Sequence, residues 1–70
     1  MGDVEKKLDT LIAYWVEHNQ EHEREFHDWA SLASAAGDDV SELLVKAAGS
    51  MADATSWLER ARQALNMRSE

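Results

Sequence analysis

Bulky or apolar residues recur along the first half of the chain at alternating spacings of four and three. A repeat of about 3.5 residues is typical of a helix packed lengthwise against another helix. Ile12, Phe26 and Ala33 widen this stripe on one side. The pattern predicts one long helix over about residues 3-36, with Asp3 as its N-cap. The repeat consists of Val4, Leu8, Leu11, Trp15, His18, His22, Glu25, Trp29, Leu32 and Ala36.

The second half carries the same alternation and predicts a second helix over about residues 39-67. Gly37 supplies the left-handed stop expected after a helix end, and Asp39 with Glu42 forms a capping-box pattern. Gly49 followed by Ser50 leaves open a break in this helix. Its stripe consists of Val40, Leu44, Ala47, Met51, Ala54, Leu58, Ala61 and Leu65.

The two helices are joined by so short a turn that they must run antiparallel. Folding the chain at Gly37 pairs residues whose numbers add to about 76. Trp29 then faces Ala47, and Trp15 faces Ala61, so that large residues oppose small ones. The chain contains no proline to interrupt either helix. We therefore predict an all-α antiparallel helical hairpin in which residues 1-70 form a single helical domain.

The predicted apolar surface is wider than one helix-helix contact can cover. Tryptophan and phenylalanine side chains bury roughly 150–250 Å² each, and the chain has three tryptophans and one phenylalanine. Trp57 lies one position off the second stripe, so it points partly away from the first helix. A homodimer that completes a four-helix bundle is the simplest closure. The residues expected to form the core or this interface are Leu11, Trp15, Phe26, Trp29, Leu44, Met51, Trp57 and Leu58.

The centre of the first stripe is polar rather than apolar. His18 and His22 are one helical turn apart on one face, and such a pair can hold a transition metal such as nickel, zinc or cobalt. Glu25 shares the stripe and offers an oxygen ligand, while a second chain related by two-fold symmetry offers two more imidazoles. The alternative is a pair of amphipathic histidines that only fill the helix contact. Without a Glu-x-x-His spacing, a di-iron carboxylate centre is not expected.

The amino-acid composition of the chain disfavours several classes of function. A net charge of -7 disfavours nucleic acid and anionic membrane surfaces as partners. The absence of cysteine excludes thiolate ligands, and no serine lies in a recognisable catalytic motif, so we expect no enzyme activity. Without a signal-peptide pattern, a cytoplasmic location is the default expectation. The favoured function is a self-associating assembly or protein-interaction module, and the alternative is a transition-metal-binding module.

The segment Trp15-Val16-Glu17-His18-Asn19-Gln20-Glu21-His22, followed by Phe26, Trp29 and Ala30, resembles a short helical-hairpin domain of prokaryotic proteins without an assigned activity. The resemblance covers most of the chain and implies a shared Trp-x-x-His-Asn-x-x-His core. It carries over to Trp15, His18, Asn19 and His22 alone. Relatives of this type sometimes follow histidine-rich segments suggestive of transition-metal handling, and this chain contains no such segment.

Overall fold

The computed structural model describes residues 2–68, and these form two antiparallel helices packed along their length. Helix α1 spans Asp3–Ala33 and helix α2 spans Asp38–Arg68. The Cα atoms fill a rod of 52 × 14 × 12 Å. The predicted all-α helical hairpin is therefore confirmed. No helix within residues 2–68 has the length and apolar character needed to cross a membrane.

The turn between the helices begins earlier than predicted. Helix α1 ends at Ala33 rather than Ala36, and residues 34–36 form a tight turn closed by a hydrogen bond from the Gly37 amide to the Ala33 carbonyl (3.1 Å). Gly37 has a φ of +149°, a conformation that L side chains rarely adopt. Its carbonyl accepts the first hydrogen bond of α2, from the Ser41 amide (3.2 Å). Gly37 thus forms the N-terminal end of α2 and does not only terminate α1.

One predicted helix cap is wrong, and the break left open at Gly49 is absent from the structure. The N-cap of α1 is Gly2 rather than Asp3, and the Gly2 carbonyl accepts a hydrogen bond from the amide of Lys6 (3.1 Å). Helix α2 also continues through Gly49 without a break. The surroundings of Gly49 hold no atom that an added Cβ would touch. A single glycine costs a helix only about 1 kcal/mol, so the packing on either side is enough to carry the helix through it.

The contact between the helices, called the seam below, lies one residue away from the predicted stripe of α1. Ile12 is 2% exposed and Ala48 is fully buried, whereas most of the predicted stripe of α1 is exposed. Small residues such as Ala30 and Ala48 at the seam let the two backbones approach closely. The seam of α1 runs through Asp9, Ile12, Val16, Asn19, Glu23, Phe26, Ala30 and Ala33. The seam of α2 runs through Ser41, Leu44, Ala48, Met51, Thr55, Leu58, Arg62 and Leu65.

The prediction for α2 is half correct. Leu44, Met51, Leu58 and Leu65 lie on both the predicted stripe and the observed seam. The intervening seam positions lie one residue further along the chain than predicted. This difference amounts to one step of about 100° around the helix, since successive residues are that far apart.

Two side-chain contacts set the register of the hairpin. Near the turn, the Ser41 hydroxyl donates to the Ala30 carbonyl (2.7 Å). At the open end, the Arg62 guanidinium binds the Asp9 carboxylate through Nε–Oδ1 (2.9 Å) and Nη2–Oδ2 (3.5 Å). The numbers of both pairs add to 71, so the register is constant along the rod.

The predicted pairings, whose numbers add to about 76, are therefore wrong by about five residues. The seam register places Trp29 and Trp15 level with residues 42 and 56 rather than with Ala47 and Ala61. The error follows from the turn, because α1 ends three residues before the predicted end at Ala36.

Candidate functional site

One side of the hairpin, called the apolar flank below, is formed by the residue directly before each seam residue in both helices. Two antiparallel helices run in opposite directions and also face the seam from opposite sides. These two reversals cancel, so the positions directly before the seam residues lie on the same side of the hairpin in both helices. On α1 the apolar flank consists of Leu8, Leu11, Trp15, His18, His22, Glu25, Trp29 and Leu32. On α2 it consists of Val40, Leu43, Ala47, Ser50, Ala54, Trp57, Ala61 and Ala64. The stripe predicted for α1 therefore exists, but it faces outward.

The opposite side of the hairpin, the polar flank, is formed by the residue directly after each seam residue. Its composition contrasts with that of the apolar flank, because charged, amide and hydroxyl side chains predominate. Val45 is its one large aliphatic residue among residues 2–68. On α1 the polar flank consists of Thr10, Ala13, Glu17, Gln20, Arg24, His27, Ser31 and Ser34. On α2 it consists of Glu42, Val45, Gly49, Ala52, Ser56, Glu59, Gln63 and Asn66.

The residues predicted as core or interface separate into two groups. Phe26, Leu44, Met51 and Leu58 are half-buried at the seam. The others are exposed on the apolar flank, with 62% of Trp29 and 64% of Trp57 accessible. The exposed group consists of Leu11, Trp15, Trp29 and Trp57.

The centre of the apolar flank on α1 is occupied by the two histidines. The Nε2 atoms of His18 and His22 are 3.0 Å apart, and the two rings are perpendicular with centroids 4.5 Å apart. In the absence of a metal, this contact is a hydrogen bond that needs one Nε2 protonated and the other unprotonated. The structure thus brings the two predicted nitrogen ligands together on the exposed surface of a helix.

Two aromatic rings extend the histidine pair along the helix. The ring of Tyr14 stacks on His18 with centroids 5.6 Å apart, and the ring of Phe26 stacks on His22 with centroids 5.8 Å apart. Phe26 belongs to the seam, so one end of this row of four rings is anchored in the hairpin contact. Ring stacking limits the rotation of both imidazoles and holds their Nε2 atoms toward each other.

Glu25 lies on the other edge of the His22 ring. Its Oε2 atom is 3.9 Å from Nδ1 of His22, whereas the Nε2 atoms face each other. The Glu25 carboxylate therefore lies on the side of the His22 ring away from the two facing Nε2 atoms. Among residues 2–68, no group of three or more histidine, aspartate or glutamate side chains is arranged to hold a metal ion. One chain therefore presents two nitrogen ligands.

The ion pair between Asp9 and Arg62 closes the open end of the hairpin. The hydrogen bond from Arg62 to Asp9 and the charge of that carboxylate raise the pKa of Arg62 above its ordinary value. The repeat pattern does not predict this pair, because Asp9 lies outside the apolar stripe and arginine near a helix end also suits the helix dipole. A predicted register in which the numbers of facing residues add to 71 would have placed Asp9 level with Arg62.

These features define a small acidic helical hairpin with one apolar flank and a histidine pair at its centre. Residues 8–65 match the family described as a domain of unknown function (DUF8180), and the chain belongs to this family. The match confirms the expected membership in an uncharacterised helical domain, and it includes Trp15, His18, Asn19 and His22. Neither a curated protein nor a solved structure matches the chain.

Proposed function

We propose that this hairpin is an assembly module that forms a homodimer through its apolar flank, giving a four-helix bundle. The observation that carries the proposal is the position of the large side chains. Ile12, Ala30 and Ala48 are the buried hydrophobic residues among residues 2–68, and no large side chain is fully buried. The tryptophans and most of the leucines instead lie on one exposed surface, where a second layer of helices would cover them.

The exposed area of the chain supports a partner as large as a second hairpin. The chain exposes 5289 Å², whereas a compact monomer of 7.9 kDa exposes about 4,400 Å². The difference, about 900 Å², is close to the roughly 800 Å² that each partner buries in a stable complex. A second copy meets the geometric need directly, since its own apolar flank has the same length and the same spacing of large residues.

Sedimentation equilibrium over a wide concentration range tests the homodimer, with one substitution on each flank. Leu43 on the apolar flank is 64% exposed, and Val45 on the polar flank is 46% exposed. We expect the wild-type protein and Val45→Glu to be dimeric and Leu43→Glu to dissociate, because only Leu43→Glu places a charge in the interface. A monomeric wild-type protein, or equal dimer stability in both variants, would refute the proposal.

A second candidate function, binding of a divalent transition metal, rests on the spacing of the histidine nitrogens. Metal–imidazole bonds of about 2.05 Å to two Nε2 atoms 3.0 Å apart give an N–metal–N angle of about 94°. This angle suits adjacent ligands in square-planar or octahedral geometry, and a small ring rotation widens it toward a tetrahedral angle. The spacing of the two Nε2 atoms therefore fits nickel, zinc or cobalt, provided that the rings turn so that both lone pairs point at the ion.

Calorimetric titration with nickel and zinc chloride tests this second function. The double variant His18→Ala/His22→Ala removes both ligands, while His27→Ala removes a histidine of the polar flank as a matched control. We expect the wild-type protein and His27→Ala to bind with the same affinity, and the double variant to give no binding heat. Equal heats for the double variant and the wild-type protein would contradict the assignment.

We infer a binding role rather than catalysis for this module. A rod that measures 14 × 12 Å across its Cα atoms offers little concave space in which to enclose a substrate. A cytoplasmic location also stays a prediction.

A further inference from the structure

We propose that the dimer is antiparallel, with each α1 packed against the α1 of its partner, and that its two-fold axis brings four imidazoles together to bind one divalent transition metal. This inference rests on the proposed homodimer and adds its symmetry, its metal stoichiometry and the residues of a shared site. His18 and His22 of one copy would lie opposite His22 and His18 of the other.

The first argument is the symmetry of the apolar flank of α1. A half-turn placed at the level of residue 20 exchanges His18 with His22, Leu8 with Leu32, and Leu11 with Trp29. This level is the midpoint of the stripe from Leu8 to Leu32, so it gives the longest overlap between two copies. Large apolar residues then cover both ends of the contact, histidines fill its centre, and Trp15 lies opposite Glu25 between them.

The same axis must also suit α2, because a two-fold axis relates the whole hairpin to its copy. Because the numbers of residues at the same level add to 71, residue 20 is level with residue 51. The apolar flank of α2 has its own midpoint at residue 52, one residue away, which corresponds to about 1.5 Å along the helix. One axis therefore serves both helices.

Packing sizes favour this arrangement over its main alternative. The half-turn places Trp57 opposite Ala47 and Leu43 opposite Ala61 of the other copy, so large residues meet small ones. If instead each α1 packed on the α2 of its partner at the same level, Trp15 would meet Trp57, because residue 15 is level with residue 56. The antiparallel arrangement instead places Trp15 opposite Glu25, Trp29 opposite Leu11, and Trp57 opposite Ala47 of the other copy, so no two tryptophans meet.

The metal follows from the ligand count. One chain presents two Nε2 atoms 3.0 Å apart, and no group of three or more ligating side chains occurs within residues 2–68. Two copies at this axis supply four nitrogens, the number that a tetrahedral zinc site requires. The carboxylate of Glu25, near Nδ1 of His22, would order the imidazole from the outer side.

Spin-label distances test the symmetry. The chain has no cysteine, so the exposed Lys7 can be replaced by a single labelled cysteine (Lys7→Cys). Thirteen residues separate position 7 from the axis, so the two backbone positions should be about 40 Å apart in the antiparallel dimer. The alternative, in which both copies of α1 run in the same direction, gives about 10–20 Å at the same position. A dimer with the short distance would overturn this inference and leave the proposed homodimer standing.

Native mass spectrometry and sedimentation with zinc or nickel chloride test the shared site. We expect one metal ion per two chains, and a dimer dissociation constant lowered by roughly tenfold or more by the metal in the wild-type protein. His18→Ala/His22→Ala should keep the metal-free dimer and lose the metal effect, while His27→Ala keeps both. Two ions per dimer, or a metal effect that survives the double variant, would refute the shared site. A protein that is monomeric with and without metal would refute the homodimer itself.

Discussion

Thr55 offers a direct test of the observed seam. Its side chain is 7% exposed, and its hydroxyl is buried without a hydrogen-bond partner. Thr10 differs, because its hydroxyl donates to the Lys6 carbonyl (3.2 Å) on the exposed surface of α1. A buried unpaired hydroxyl costs about 1–3 kcal/mol. Valine has nearly the same shape and helix propensity, and its extra methyl group favours burial by about 0.8 kcal/mol. We therefore expect Thr55→Val to raise the free energy of unfolding by at least about 1 kcal/mol.

Thermal unfolding followed by circular dichroism at 222 nm measures this effect. A gain of about 1 kcal/mol should raise the Tm by about 4–8 °C in a domain of this size. Protein concentration must be equal in all samples, because self-association also stabilises the folded state. Thr10→Val is the matched control and should change the free energy of unfolding by no more than about 0.5 kcal/mol. If Thr55→Val left the Tm unchanged or lowered it while Thr10→Val behaved as the wild type, the seam described for α2 would be wrong.

Two further predictions concern the backbone and the ion pair. Gly49→Ala should raise the free energy of unfolding by about 0.5–1 kcal/mol, because the site is helical and has open space. Gly37→Ala should lower the free energy of unfolding, because φ is +149° and the new Cβ would lie 2.7 Å from Oδ1 of Asp39. Urea unfolding of both variants checks this opposite pair of effects. Asp9→Lys should lower the urea midpoint, and adding Arg62→Glu should restore part of it at low salt but not at about 1 M salt.

The hairpin could be predicted because its elements follow from local physics. A 3.5-residue repeat without proline specifies two long helices, and a connection this short leaves only an antiparallel arrangement. The helix ends were less predictable. Ala35 and Ala36 are good helix formers, so nothing in their chemistry ends α1 at Ala33. The tertiary bond from Ser41 to the Ala30 carbonyl and the backbone of Gly37 fix the turn there.

The seam was harder to predict, because α1 carries two neighbouring repeats with the same period. One repeat contains the large residues Leu11, Trp15 and Trp29, and the other contains smaller ones such as Ala30 and Ala33. Choosing the larger side chains for the seam assumes that the hairpin is the whole core. The structure instead places Ala30 and Ala33 between the helices, together with Ile12 and Phe26, and leaves the predicted stripe with its histidine pair on the surface.

The position of the large side chains links the stability of the hairpin to the proposed pairing of two copies. Small seam residues allow close packing but remove little apolar area from water, and stabilisation scales with that area at about 25 cal/mol per Å². The tryptophans, the largest apolar side chains of the protein, lie outside the seam, with Trp29 62% and Trp57 64% exposed. Covering the apolar flank would therefore add hydrophobic stabilisation that the hairpin contact does not supply. In the proposed dimer, pairing of two copies then adds to the stability of each folded hairpin, so the histidines at its centre act on the stability of both chains at once.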